Sequence, residues 1–167
     1  MQSAVQIRKA TSDDLDQMMV IYAKAKEFMD STGNTTQWKK GYPTREMIAA
    51  NIAEKEMYVC VDENDVSHAA FLFHIGEDST YRVIEDGSWK NDNLYGTIHR
   101  VASDGTMKGV FAAMVSFCEK LCPELRADTH KDNAVMQHLL EKNGFEKCGI
   151  IYVHDGTQRL AYQRVAK

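Results

Sequence analysis

The sequence predicts an α/β domain of the α+β type, in which a mixed, mostly antiparallel sheet carries helices on its faces. Two observations predict it. Short runs with strand-like alternation are interleaved with longer stretches whose apolar residues recur at steps of three and four. Asp-, Asn- and Gly-containing turns or caps separate most of them. The order read along the chain is strand, two helices, three strands, helix, strand, helix, two strands.

Gln6 to Ala10 reads as the first strand. Ser12-Asp13-Asp14 then supplies a helix cap with acids in the first turn, where the helix dipole favours them. Leu15, Met18, Met19, Tyr22, Ala25, Phe28 and Met29 form one apolar face of a helix ending near Ser31. Thr32 to Pro43 is a loop, and Thr44 caps a shorter helix to about Glu54 with Met47, Ile48 and Ile52 inward. Met57 to Val61 and Val66 to Ile75 form an antiparallel hairpin around Asp62-Glu63-Asn64-Asp65. An acidic, irregular stretch follows, and Leu94 to Ala102 is again a strand.

After Ser103 the period changes. Gly105 and Gly109 flank a short loop, and Val110, Met114, Phe117, Cys118 and Leu121 mark a helix face. Leu125 to Thr129 is a strand, and Asp132 or Asn133 caps a helix through Lys142, which Asn143-Gly144 ends with a left-handed turn. Cys148 to Val153 and Arg159 to Gln163 close the chain around Asp155-Gly156.

Composition narrows the function classes. A chain of 167 residues with 44% hydrophobic and 26% charged residues reads as one domain, residues 1–167, with a single core. Twenty Lys+Arg against 24 Asp+Glu give a formal charge of -4, against a globally basic nucleic-acid binder. No apolar run exceeds the six residues Met18 to Ala23, which is too short to span a membrane. Met1 to Ala10 has no apolar signal core, so a soluble, cytoplasmic protein is expected. The four cysteines show neither CxxC nor zinc-ligand spacing; reduced, mostly buried thiols are expected and no metal site. A Gly-x-Ser-x-Gly elbow is missing, and Cys118 has no adjacent histidine, so nucleophilic hydrolase chemistry lacks its parts.

The segment from His99 to Phe145 carries the strongest chemical signal. A strand leading into Lys108-Gly109-Val110 at a helix start presents unpaired N–H groups and the positive end of the dipole, a cradle for pyrophosphate. Gly109 lets a phosphate approach the backbone closely. On Ile98-His99-Arg100-Val101-Ala102-Ser103, Lys108-Gly109, Asn133-Ala134 and Asn143-Gly144-Phe145, the chain resembles the GNAT superfamily of N-acetyltransferases, which use acetyl-CoA. That resemblance implies a sheet of about six to seven strands splayed at the fourth and fifth, flanked by about four helices. It also implies a thioester arm lying in the gap like an added strand.

The family's pyrophosphate loop, Gln/Arg-x-x-Gly-x-Gly/Ala, falls on Thr106 to Phe111, where only Gly109 matches. The resemblance implies that Lys108, Gly109, Val110 and Phe111 hold pyrophosphate through main-chain amides. Val101, Ala102 and Ser103 would pair with the pantetheine arm, and Asn133 would touch it from the far side. The tyrosine that often precedes Gly-Phe by four residues in that family, and protonates the departing thiolate, is replaced by Leu140. Water then takes that role.

The reaction implied is direct attack of a neutral primary amine on the thioester, with a backbone N–H near Val101 as donor to the developing oxyanion. His99, with an intrinsic pKa suited to the task, is the candidate base. Simple alternation puts His99 and Val101 on one face unless a bulge intervenes, and Arg100, on the other, is the first replacement candidate for a site residue. Glu85, in the acidic stretch 76–92, is a candidate for drawing a cationic amine. Trp38 and Tyr42 are candidate cleft walls, because some family members carry a similar Gln-Trp followed by Tyr-Pro after the first helix. The acceptor expected is a small-molecule amine. A CoA-binding or sensing module, or an enzyme acetylating a protein terminus or lysine, are the alternatives. Arg159 to Gln163 is a candidate edge for a homodimer.

Overall fold

A computed structural model describes residues 5–167; residues 1–4 of the Met1–Ala10 stretch lie outside the described residues. β1 (Gln6–Lys9) runs through a 3-10 turn at Ser12–Asp14 into α1 (Leu15–Ser31), and a loop then reaches α2 (Arg45–Ala53). β2 (Met57–Val61), β3 (Ser67–Ile75) and β4 (Gly96–Ser103) follow. The rest is α3 (Val110–Leu121), β5 (Leu125–Thr129), α4 (Ala134–Lys142), β6 (Glu146–Tyr152) and β7 (Gln158–Arg164). All seven strands form one sheet in the order β1-β2-β3-β4-β5-β7-β6.

Asp14, rather than Ser12, fixes the entry into α1. Its carboxylate accepts from the Thr11 N–H at 2.7 Å and from both amino groups of Arg8 at 2.8 and 2.9 Å. The Arg8 bonds hold the Asp14 carboxyl below its ordinary pKa. The buried stripe of α1 is Met18, Ile21, Tyr22, Ala25 and Met29. Phe28, expected inward, is 54% exposed and borders a cavity.

Strand alternation divides the core into two layers. Phe71 and Phe73 of β3 and Ile98 of β4 pack with Phe111 and Met114 of α3, Leu140 of α4 and Phe145. Leu72 and Ala70 face the other way, onto Met18, Ile21 and Tyr22 of α1 and Ile48 of α2. The four cysteines are free and buried, and burial pushes the Cys60 thiol up to about 12. β7 lies inside the sheet between β5 and β6, so Arg159 to Gln163 offers no free edge, contrary to the dimer edge expected. Among the described residues no helix is long and apolar enough to cross a membrane.

The site depends on where the sheet fails to close. β4 and β5 are parallel but pair only at Gly96 with Leu125 and Thr97 with Arg126, after which they part. Gly96 permits the close packing there, since a Cβ would lie 2.3 Å from Cζ of Phe73.

Candidate active site

The splay is accompanied by a bulge in β4. Leu72 of β3 pairs with His99 and Ala70 with Ala102, so Arg100 and Val101 together oppose one residue. Arg100 sits in the left-handed region at φ 53°, which is costly for a non-glycine residue. Tyr22, fully buried in α1, donates its hydroxyl to the Arg100 carbonyl at 2.7 Å. The inserted residue changes the parity: Val101 packs with the α3 layer, whereas His99 shares its face with Leu72. His99 and Val101 therefore lie on opposite faces, the exception that plain alternation allowed for.

A cavity of about 880 Å³ opens at this point, bordered by α1, the 32–43 loop, the splayed strands, the start of α3 and the inner face of α4. Its acidic centre is built from three separate segments. His99 Nε2 meets Asp78 Oδ2 at 2.9 Å, and His99 Nδ1 lies 3.6 Å from Asp128 Oδ2. Tyr81 donates its hydroxyl to the same Asp128 oxygen at 2.6 Å. Burial pulls the His99 imidazolium down, but the Asp78 hydrogen bond and both carboxylate charges outweigh it, and its pKa is raised. Burial likewise pushes Asp78 up, yet hydrogen bonds from His99 and Thr80 hold it well below the usual carboxylate range.

On the opposite wall the Arg100 side chain turns toward the 32–43 loop and α2. Its Nε donates to the Tyr42 hydroxyl at 3.2 Å, and Nη1 donates to Asn51 Oδ1. Trp38 is buried between Tyr22 and Tyr42, with ring centroids 5.8 and 5.9 Å away. Gln37 ties this loop to the far strands. Its Oε1 accepts from Asn133 Nδ2 at 3.0 Å, and its carbonyl accepts from Arg159 Nη2 at 3.0 Å.

Along the α3 side, Val101, Ala102, Ser103, Gly109, Val110 and Phe111 all border the cavity, as does Asn133 across from them. Gly109 caps α3 at φ 69°, and a Cβ there would meet nothing within 4 Å, so open space lies against its backbone. Lys108 is exposed next to it, outside the cavity wall. The preceding turn is anchored by His68, whose ring nitrogens meet Asp104 at 2.9 Å and Asp62 at 2.8 Å. Asn133 caps α4, accepting from the Met136 N–H at 3.0 Å. Leu140, in the place of the expected tyrosine, is fully buried along the same wall.

His99, Val101, Ala102, Ser103, Gly109, Val110, Phe111, Asn133, Trp38 and Tyr42 are thus brought to one cavity. Glu85 is not. Its backbone bridges Ile150 on the outer side of β6, and its carboxylate accepts from the Tyr152 hydroxyl at 2.9 Å. Of the acids in 76–92, Asp78 is the one that reaches the cavity. Arg100, the replacement candidate, also belongs to it, as do Asp128, Phe28 and Arg159, which the sequence alone does not single out for the site. Only the apolar face of α1 hinted at Phe28 as more than a surface residue.

The family model for the acetyltransferase (GNAT) domain matches residues 5–146. A GNAT-family acetyltransferase from Streptococcus agalactiae is 31% identical, with all of this chain and 98% of that chain covered at a TM-score of 0.85. One from Listeria monocytogenes is 17% identical, with 98% of each chain covered at 0.70. The phosphinothricin acetyltransferase of Sinorhizobium meliloti, solved with AcCoA, is 15% identical at 0.64, covering 97% of this chain and 88% of its own. No curated protein matches the chain. The last two likenesses speak for the fold alone. With the family model spanning most of the sequence, the chain belongs to the GNAT family of acetyltransferases.

Proposed function

We propose that the chain, as one acetyltransferase domain, transfers the acetyl group of acetyl-CoA to the primary amine of a small molecule by direct attack. The observation that carries this reading is the cavity at the parted β4 and β5, with open space against Gly109 at one end and the Asp78–His99–Asp128 cluster at the other. When bound, acetyl-CoA supplies an activated acyl thioester. The residues present fit it: the first N–H groups of α3 would hold a pyrophosphate, with Lys108 beside them. Val101, Ala102 and Ser103 offer main-chain groups along the gap, and Asn133 borders it from α4.

The chain's own work is to bind and orient the amine and remove its proton. Asp78 and Asp128 give the acceptor end a negative field that draws an ammonium group. His99, in its neutral form, takes the proton directly or through water, and the two carboxylates then hold the imidazolium. The Val101 N–H, freed from regular pairing by the bulge, is the donor toward the developing oxyanion. A cavity of about 880 Å³ lies within the range of small-molecule sites and takes the thioester arm as well as the acceptor.

Thermal unfolding with acetyl-CoA tests the reading. At about a hundred times the Kd, selective binding adds about 2.7 kcal/mol, which raises Tm by roughly 5–11 °C for a chain this size. Thiol release with an amine panel should follow. A folded protein with no shift overturns the acetyl-CoA reading.

A further inference from the structure

We infer that the acceptor carries an acid group as well as its amine, and that Arg100 binds the acid. This rests on the acetyltransferase reading and names the substrate class within it. The three carboxylates bordering the cavity are already engaged: Asp78 with His99, Asp128 with Tyr81 and His99, and Asp155 with Lys39 at 3.3 Å. Among the described residues Arg100 has only neutral side-chain partners, the Tyr42 hydroxyl and the Asn51 side-chain oxygen. Its Nη2 group has no hydrogen-bond partner among the described residues.

A half-buried guanidinium without an anion is an incomplete arrangement, because desolvation of the charge is not offset by an opposite one. The conformation is also costly. Arg100 occupies the left-handed region, held there by the Tyr22 hydroxyl on its carbonyl, and the guanidinium leans over the Tyr42 ring with its carbon 5.8 Å from the centroid. Two polar side chains and a ring thus orient the fork and leave an amino group for a ligand. A charged guanidinium amino group held in a fixed direction is a strong donor to a carboxylate or a similar oxyacid.

The pyrophosphate of acetyl-CoA is not that anion. Tyr42 and Asn51 come from the loop before α2 and from α2, on the sheet face opposite α3, whereas Gly109 opens at the start of α3. The same cavity therefore has a cationic wall at Arg100 and an anionic centre at Asp78 and Asp128. A molecule bearing both an amine and an acid group, such as an amino acid, matches both.

The test uses the full chain with acetyl-CoA and thiol detection, over amino acids paired with their decarboxylated amines and amides. The inference expects kcat/KM to favour the acid-bearing member of the matching pair by at least about tenfold. Arg100→Gln should reduce that preference by about 10- to 100-fold, mainly through KM, and Arg100→Lys, which keeps the charge without the fork, by less. Equal losses on both members of a pair would show that Arg100 only shapes the loop, and would overturn the inference. So would a wild type that prefers acid-free amines. No turnover of any acid-bearing acceptor, by protein that still gains stability from acetyl-CoA, overturns this inference alone. Loss of acetyl-CoA binding overturns the reading beneath it.

Discussion

The Tyr22 hydroxyl and the Arg100 carbonyl, 78 residues apart in sequence, meet at 2.7 Å and join the middle of α1 to the bulge of β4. The bond satisfies a carbonyl that the bulge has removed from regular strand pairing. Burial, the largest influence on Tyr22, raises its pKa far above the ordinary tyrosine value, so the hydroxyl remains a donor throughout the accessible pH range.

Tyr22→Phe keeps the ring against Trp38 and removes that donor. It should cost about 1 kcal/mol, a fall in Tm of roughly 2–4 °C, and lower kcat with little change in the Kd of acetyl-CoA. Calorimetry and steady-state kinetics check the two effects separately. An unchanged kcat would show that the bulge keeps its shape without the bond.

The activity should rise with pH through the His99 titration. Burial lowers the His99 pKa, but Asp78 and Asp128 raise it further, so the acidic limb belongs above the unperturbed 6.5. Asp78→Asn removes the hydrogen-bonded carboxylate and should move the limb to lower pH. His99→Gln should flatten it and leave acetyl-CoA affinity intact. A profile that neither variant changes would assign the pH dependence to the acceptor amine.

His68 gives a pH-dependent stability of definite sign. Hydrogen bonds donated to Asp62 and Asp104 raise its pKa, so its contribution is complete below its unfolded value near 6.5 and is lost as pH rises through the folded value. His68→Gln should therefore lower Tm at pH 6 more than at pH 9, as read by calorimetry across that range. A constant difference would contradict the charged bridge.

Gly96→Ala places a methyl group within 2.3 Å of Phe73 Cζ, where the ring is buried in the core. The substitution should cost about 1–3 kcal/mol through strain. It should also widen the separation of β4 from β5, which a fall in acetyl-CoA affinity would register.

Glu85→Gln should leave kcat/KM unchanged for an amine acceptor, since its carboxylate meets Tyr152 beside β6 and not the cavity. A large loss would place the acceptor on a different surface from the one described.

Local signals carried much of the fold into the sequence. β5 spans Leu125–Thr129 as its apolar pattern and flanking turns dictate, and α4 begins after Asn133 and ends at Lys142, just before the left-handed Gly144, because capping is decided by neighbours. Thr44 caps α2 for the same reason. The acceptor end of the site was far less legible. Asp128 acquires its role from Tyr81 and His99, 47 and 29 residues away, and nothing next to it in sequence marks it. Arg100 gives no local sign of a bulge, since the glycine or asparagine that usually announces a left-handed residue is missing. Phe28 obeys the period of α1 yet borders an opening, because periodicity defines a face and not what covers it. Glu85 illustrates the converse: an acidic stretch has a net charge, but its backbone pairing decides where each carboxylate points.

Among the described residues, only Gly96 and Thr97 fasten the β1–β4 half of the sheet to the β5–β7 half along the sequence of paired strands. From Ile98 onward the amides that face the gap have no strand across from them, so they should exchange with deuterated solvent as those of an outer strand do, although they sit at the centre of the molecule. That seam is a built-in weak line in an otherwise locked sheet. It lets an extended, amide-bearing arm be stitched in without breaking any ladder bond already made, and a guest seated there would slow the exchange of one half-strand while the rest of the sheet stayed as it was.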